Sequence, residues 1–177
     1  MARRHVAIVG YGTGGQAAAL ALARSGHSVE IFERVPNPGP VGAGFLLQPT
    51  GLQALWQLGL LDETCALGAP VRRLHGETAD GRAVMDMRYV DLDPRLSGLG
   101  MQRGALFAVL HEAIGLQGDV QLHADHAIVE VDCDGGRLRD ARGAWHGPFD
   151  AVVVADGSAS LLRAAVTGMR IDTPYPW

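Results

Sequence analysis

The chain has 177 residues, of which 47% are hydrophobic and 19% are charged, and this composition excludes a disordered, collagen-like or coiled-coil protein. Fifteen basic residues against 19 acidic ones give a net charge of −4, so no basic face for nucleic acid is expected. Glycine is the unusual residue, with 24 copies, because its ordinary share is only about 7%.

The apolar runs of the sequence are shorter than the ~18 residues that a membrane-spanning helix needs, and none resembles a signal peptide. The two cysteines, Cys65 and Cys133, lie far apart and have no metal-ligand spacing. They are typical of reduced thiols in a cytoplasmic protein. We therefore expect a cytoplasmic location, no membrane span and no metal site.

The N-terminal segment predicts a βαβ unit. His5–Val9 is a short β-branched run that ends at a glycine, Gly14–Arg24 is rich in alanine and leucine, and Ser28–Glu33 is a second apolar run. A strand, a helix and a strand within about 30 residues imply parallel strands. The sequence therefore predicts an α/β fold with a Rossmann-like parallel sheet.

The rest of the chain predicts a loop followed by short strands and helices. Residues 35–44 are rich in proline and glycine, which predicts an extended loop. In the helix that follows, Leu52, Leu55, Trp56 and Leu60 are expected to share one face. The predicted elements are a helix over Pro49–Leu60, a small β-hairpin insertion between Val71 and Val90, a helix over Arg103–Ile114, strands over Val120–His123, Ala127–Asp132, Arg137–Arg139 and Phe149–Ala155, and a helix over Ser160–Val166.

The turn after the first strand has the pattern G-x-G-x-x-G at Gly10, Gly12 and Gly15. Gly10 allows the tight turn, Gly12 lets a pyrophosphate approach the backbone, and Gly15 lets the helix pack on the strand. Thr13 and Gly14 complete the turn, where the helix N-terminus offers N–H groups to phosphate. The turn predicts a dinucleotide-binding site.

Glu33 ends the second strand at the distance where an acid binds a ribose diol. Its carboxylate repels a 2′-phosphate, so FAD and NAD fit this position and NADP does not. Arg34 follows directly. It either stacks beside adenine or reaches phosphate, or it is an ordinary solvated arginine, and the sequence leaves both interpretations open.

A second fingerprint lies in the segment Asp150–Arg163. A buried strand delivers Asp156 and Gly157 to its carboxyl end, where open α/β sheets bind ligands. Ser158 or Ser160 caps the following helix in this interpretation. Arg163 on that helix is expected to pair with a carboxylate or a phosphate.

The spacing of Gly157, Ser160 and Arg163 resembles the Asp-Gly fingerprint of flavin-dependent aromatic hydroxylases, the 4-hydroxybenzoate and salicylate hydroxylase-like FAD monooxygenases. The segment Gly42–Pro49, which contains Gly44, resembles the loop that passes near the flavin ring in that family. The segment Gln102–Leu106 resembles the R-x-x-L start of a helix.

The resemblance implies FAD as the cofactor and NADH or NADPH as a transient reductant. It implies that Arg103 contacts the pyrophosphate or the ribityl chain, that backbone near Ile128 faces adenine, and that the Asp-Gly segment serves both FAD and the nicotinamide. The implied activity is hydroxylation of a small aromatic substrate with O₂. No catalytic acid or base is identified.

The resemblance also implies that the sequence is incomplete. Residues 1–170 correspond to an incomplete FAD/NAD(P)-binding domain, and residues 171–177 to the start of a missing substrate-binding domain. A further Gly-Asp fingerprint of the family is absent. Our hypothesis is a truncated or split protein that is inactive alone and is completed by the missing C-terminal half, with a homodimer mate as another candidate partner.

Two other functions stay open at this point. The chain could be a non-catalytic nucleotide-binding module or subunit that another chain completes. It could also be an NAD-dependent dehydrogenase. The Asp-Gly fingerprint and the loop rich in proline and glycine argue against a dehydrogenase, in which the βαβ pattern would continue after Glu33.

Overall fold

The structure of the protein, a computed structural model, describes residues 2–40 and 42–167. Its strands are, in chain order, β1 (His5–Val9), β2 (Ser28–Phe32), β3 (Gly44–Leu47), β4 (Gly68–Val71), β5 (Arg73–Glu77), β6 (Ala83–Arg88), β7 (Gly98–Gln102), β8 (Val120–His123), β9 (Ile128–Asp132), β10 (Arg137–Asp140), β11 (Trp145–His146) and β12 (Ala151–Val154). Its helices are α1 (Thr13–Arg24), α2 (Pro49–Gln57), α3 (Leu61–Ala66), α4 (Arg103–Gly115) and α5 (Arg163–Thr167). These elements form two units. The first contains residues 2–38 and 110–167, and the second contains residues 39–109.

The first unit is built on a parallel sheet with the strand order β12-β1-β2-β8. Val6 lies opposite Ala151 on one side and Val29 on the other, so β1 is an interior strand. Interior parallel strands are apolar because both of their faces are covered, and Ile8 and Ile31 are fully buried. The predicted βαβ unit and its parallel strands are confirmed.

An antiparallel meander with the order β11-β10-β9 belongs to the same unit. Leu138 of β10 is fully buried in an apolar cluster with Phe32, Val131 and Phe149. Side chains alternate along a strand, so the neighbouring Arg137 is exposed. This cluster holds the meander on the parallel sheet, since Phe32 belongs to β2.

The second unit contains an antiparallel sheet with the order β3-β7-β4 and a separate hairpin of β5 and β6. The hairpin confirms the prediction for its segment, whereas the three-stranded sheet is not predicted from the sequence. The glycines of β7 weaken its strand signal. Packing explains the glycine at position 98, because a Cβ there would lie 2.9 Å from both the Leu46 Cδ1 and the Tyr89 hydroxyl oxygen.

The helix predicted over Pro49–Leu60 is wrong at its C-terminal end. α2 stops at Gln57, and Gly59 takes a left-handed conformation with a φ of +62°, as glycines after a helix often do. The chain then enters α3. Of the residues expected to share a face, Leu55 is buried, whereas Trp56 is 62% exposed.

Two further predictions concern the C-terminal part of the chain. The helix predicted to begin at Ser160 begins at Arg163 in the structure. Residues 171–177, predicted to start a substrate-binding domain, lie outside the described residues. Among the described residues, no helix has the length and apolar character needed to cross a membrane.

Replacement of Leu138 by alanine tests the cluster between the meander and the sheet. Because Leu138 is fully buried, we expect Leu138→Ala to lower the free energy of unfolding by about 2–5 kcal/mol. Urea denaturation followed by circular dichroism measures this loss. Leu116→Ala is the control, since Leu116 is 81% exposed, and it should change stability by less than about 0.5 kcal/mol. An equal loss in both variants would contradict the packing of β10.

Candidate functional site

Two glycines of the turn between β1 and α1 are required by contacts of the chain with itself. Gly10 has a φ of +104°, and a Cβ there would lie 2.5 Å from the carbonyl oxygen of Ala155. A Cβ at Gly15 would lie 1.9 Å from the carbonyl oxygen of Gly10. No other residue fits at such distances without a backbone shift. Gly15 therefore lets α1 begin directly against the turn.

Two other glycines of the turn face open space. A Cβ at Gly12 or Gly14 would meet no atom of the structure within 4 Å. Gly12 has an ordinary φ of −73°, and α1 begins at Thr13 with no side-chain cap and no acidic residue in its first turn. Packing within the described chain gives no reason for glycine at these positions. A ligand that approaches the backbone does, and the helix N-terminus favours an anion.

Glu33 directly follows β2 and is tied to the glycine turn by its carboxylate. One oxygen, Oε2, accepts the backbone N–H of Tyr11 at 2.8 Å, and Oε1 accepts the N–H of Val35 at 2.9 Å. A carboxylate oxygen can accept more than one hydrogen bond. Each oxygen can therefore accept a further hydrogen bond from a hydroxyl group, while the two N–H groups fix the position of the carboxylate.

Tyr11 holds the turn from its buried side. Its ring is only 2% exposed, and its hydroxyl lies 2.8 Å from Nδ1 of His111. Burial raises the pKa of the Tyr11 phenol. Its carbonyl oxygen accepts a hydrogen bond from Nε2 of the fully buried Gln16 at 3.1 Å. These three residues were missed by the sequence analysis, although a polar side chain directly after the third glycine was a usable signal.

The Asp-Gly turn after β12 lies beside the glycine turn. The N–H of Ala155 donates to the carbonyl of Val9 at 2.8 Å, and a Cβ on Gly10 would lie 2.9 Å from the Cα of Asp156. Gly157 has a φ of +93°, a conformation that favours glycine. The structure therefore brings Asp156 and Gly157 to the same sheet edge as the glycine turn.

Arg163 closes the loop that follows this turn. Its guanidinium donates to the carbonyl oxygens of Gly157 at 3.2 Å and Ser158 at 3.1 Å. Its backbone N–H donates to the hydroxyl of the buried Ser160 at 3.1 Å, so Ser160 makes the capping bond. The structure gives Arg163 a role in holding the loop, and its pairing with phosphate stays a prediction.

Arg34 lines a cavity of about 130 Å³ together with Ala127 and Asp140. The side chain of Ile128 packs against the apolar cluster, and its neighbour Ala127 lines the cavity. Asp140 is buried, and its hydrogen bond with His146 at 3.0 Å lowers the pKa of this carboxyl group. The adenine role of Ile128 and Arg34 stays a prediction.

The two remaining predicted residues, Gly44 and Arg103, belong to the second unit. The Arg103 guanidinium lies 5.7 Å from the ring centre of Phe45, within the range of a cation–π interaction. A Cβ on Gly42 would lie 3.5 Å from Nε of Arg103. The end of the loop rich in proline and glycine and the start of α4 therefore meet within this unit.

Comparison with known proteins decides the family. Residues 3–173 match a family described as FAD binding domain. The chain belongs to this FAD-binding domain family. It is 31% identical over 177 aligned residues to an FAD-dependent urate hydroxylase of Mycolicibacterium vanbaalenii. It is 30% identical over 184 residues to a 3-hydroxybenzoate 6-hydroxylase of Polaromonas naphthalenivorans.

These alignments cover 96% and 92% of this chain but only 44% and 42% of the two relatives. The fold of this FAD-binding domain is also similar to a crystal structure of a 2-methyl-3-hydroxypyridine-5-carboxylic acid oxygenase variant. The TM-score is 0.80 and the identity 26%, over 93% of this chain and 42% of that one. The chain thus spans less than half the length of these relatives. The predicted resemblance to aromatic hydroxylase-like flavin monooxygenases and the predicted Rossmann-like fold are confirmed.

The residues of this FAD-binding domain fit a dinucleotide cofactor. The open backbone at Gly12 and Gly14 leaves room for a diphosphate. The Glu33 carboxylate lies beside this turn, bonded to the N–H of Tyr11, and can still accept hydrogen bonds from ribose hydroxyls. Within residues 2–40 and 42–167, no group of three or more His, Cys, Asp or Glu residues is arranged to hold a metal ion.

Alanine at Gly12 and at Gly15 should separate ligand binding from folding. Because nothing lies within 4 Å of a Cβ at Gly12, we expect Gly12→Ala to keep or slightly raise the free energy of unfolding, by up to about 1 kcal/mol. Its methyl group would nevertheless block the diphosphate and weaken FAD binding. Gly15→Ala should destabilise the fold instead, because its Cβ would overlap the Gly10 carbonyl. Thermal unfolding and FAD titration measure the two effects, and a loss of stability in Gly12→Ala would refute the open-space interpretation.

Proposed function

We propose that the chain is the FAD-binding part of a flavoprotein monooxygenase, which hydroxylates a small aromatic substrate with NADH or NADPH and O₂. One observation carries the proposal. In a member of the FAD-binding domain family, the open glycine turn, the Glu33 carboxylate and the Asp-Gly turn lie at one edge of the parallel sheet. Two relatives, a urate hydroxylase and a 3-hydroxybenzoate 6-hydroxylase, support the class of reaction.

The proposed binding of the nucleotide half follows from that edge. Backbone N–H groups at Gly12, Thr13 and Gly14 would hold the diphosphate, since α1 carries no cap or acid that competes for them. Glu33 would accept hydrogen bonds from the ribose hydroxyls. Arg34 and the backbone near Ile128 would border the adenine, at the cavity described above.

The flavin half would use the other predicted residues. We assign Arg103 and Gly44 to the diphosphate–ribityl and ring regions, and Asp156 and Gly157 to the same cofactor, with Arg163 as the residue that holds their loop. Bound FAD would supply the redox and oxygen chemistry, and the protein would bind it, orient it and exclude water. Hydroxylation is expected of a protein of the relatives' full length, of which this chain spans 44% and 42%.

Titration of the purified chain with FAD and with NADH tests the proposal against its alternatives. We expect FAD to bind, with quenching of flavin fluorescence and a shift in the visible flavin spectrum, and NADH alone to bind weakly. Tight binding of NADH without FAD would favour the dehydrogenase. Mixing the FAD-loaded chain with NAD(P)H and candidate phenols should give no hydroxylated product, and product formation would show that no further fingerprint is needed.

Glutamine at Glu33 should change the nucleotide preference. In the wild-type chain the carboxylate repels a 2′-phosphate, so ADP should displace FAD better than ADP carrying a 2′-phosphate. In Glu33→Gln the charge is gone, and this preference should fall by about tenfold or more. Competition against FAD fluorescence measures it. Glu30→Gln in β2 is the control, because the Glu30 carboxylate bonds His5 and His123, and it should keep the preference.

A further inference from the structure

We propose that Gln16 is a positioning residue for the diphosphate of FAD. Its buried side-chain amide fixes the peptide between Tyr11 and Gly12, so that the N–H of Gly12 points at the diphosphate. This inference rests on the proposed location of the diphosphate at the glycine turn. It adds a residue that acts through the backbone and has no contact with the cofactor itself.

The direction of the Gly12 N–H follows from peptide geometry. Nε2 of Gln16 donates to the carbonyl oxygen of Tyr11 at 3.1 Å, and Gln16 is fully buried. In a trans peptide the carbonyl and the next N–H point in opposite directions. With the Tyr11 carbonyl aimed at the buried amide, the Gly12 N–H points away from it. It makes no hydrogen bond within the described residues, and Gly12 is exposed.

The peptide before this one is fixed as well. The N–H of Tyr11 donates to Oε2 of Glu33 at 2.8 Å. The Tyr11 hydroxyl lies 2.8 Å from Nδ1 of His111. Tyr11 is thus held at its N–H, at its carbonyl and at its side chain, and the Gln16 amide is the contact that sets the carbonyl. Loss of that contact frees the Tyr11–Gly12 peptide to rotate.

Gln16 also carries a cost that a purely structural residue would avoid. Its Oε1 is buried and has no hydrogen-bond partner among the described residues. A buried polar atom without a hydrogen bond lowers the stability of a fold, and such atoms in a native fold need an explanation. An apolar side chain of similar volume would remove this cost. The amide is therefore better explained by the carbonyl that it orients than by stability.

Gln16→Met tests the inference, because methionine keeps the volume and removes the amide. We expect the Kd for FAD to rise about tenfold, equivalent to ~1.4 kcal/mol, while the midpoint of urea unfolding stays unchanged or rises. Flavin fluorescence titration and circular dichroism on the 177-residue chain give the two values. A residue that only fills the core would not produce weaker binding together with unchanged stability.

Gln117→Met is the matched control. Nε2 of Gln117 also donates to a backbone carbonyl, that of Ala113 at 3.3 Å, but this bond is not part of the glycine turn. Its loss should leave the FAD affinity unchanged. An equal loss of affinity in both variants would overturn the inference, since it would show a general effect of removing a side-chain amide.

The outcomes also separate this inference from the proposed function. If the wild-type chain fails to bind FAD, the proposed function is wrong and the inference falls with it. If the wild-type chain binds FAD and Gln16→Met binds it equally well, the inference alone is wrong. A loss of affinity that matches a loss of stability overturns it too.

A measurement on the wild-type chain covers the case in which Gln16→Met does not fold. The Gly12 amide signal in a ¹H–¹⁵N spectrum should shift downfield when ADP is added, because its N–H gains a phosphate acceptor. The Gly118 amide, in the loop between α4 and β8, should not shift. A Gly12 signal that is unchanged at saturating ADP would refute the predicted direction of this N–H.

Discussion

The contact between Gly15 and the Gly10 carbonyl is the constraint on which the candidate site depends. The space that a Cβ at position 15 would need is taken by that oxygen, 1.9 Å away. Only a glycine lets α1 start so close to the end of β1, and this closeness directs the first N–H groups of the helix to the carboxyl edge of the sheet. The same turn lies against the end of β12, because Gly10 abuts the carbonyl of Ala155, the residue that follows this strand. One close approach therefore aligns the helix N-terminus with the Asp-Gly turn.

The polar contacts around the turn converge on one residue, Tyr11. Glu33 accepts the N–H of Tyr11, Gln16 donates to its carbonyl, and His111 contacts its phenol. A glycine-rich segment is flexible by nature, since glycine restricts φ and ψ so little. Bonds on both sides of one residue, Tyr11, offset that freedom. N–H groups that are already fixed in place would bind an anion without a further entropic cost, and this agrees with the proposed site of the diphosphate.

The parts of the fold that sequence predicts well are those with a local cause. The run His5–Val9 and the glycines after it have local patterns, and the βαβ unit that they predict is confirmed. Glu33, predicted to end the second strand, lies directly after it. The sheet of β3, β7 and β4 joins segments far apart in the chain. In the sequence, Gly98 and Gly100 are typical of a loop, and only the packing of Leu46 and Tyr89 against Gly98 explains a glycine in this strand. Tyr11 and Gln16 were missed for a similar reason, because their role depends on which side of the turn is buried. Periodicity alone gave no sign that Trp56 would be exposed.

The glycines of the turn divide by what requires them, and this division separates folding from function. A Cβ at Gly10 or Gly15 would overlap atoms of the chain, whereas a Cβ at Gly12 or Gly14 would meet no described atom within 4 Å. A stable turn requires glycine only at the first pair of positions. Glycine at the second pair increases the conformational entropy that the chain loses on folding, and no packing contact compensates for it. The unsatisfied Oε1 of Gln16 is a cost of the same kind. Three departures from the most stable choice lie around the one backbone segment that a diphosphate would contact, and a ligand at that segment accounts for all three.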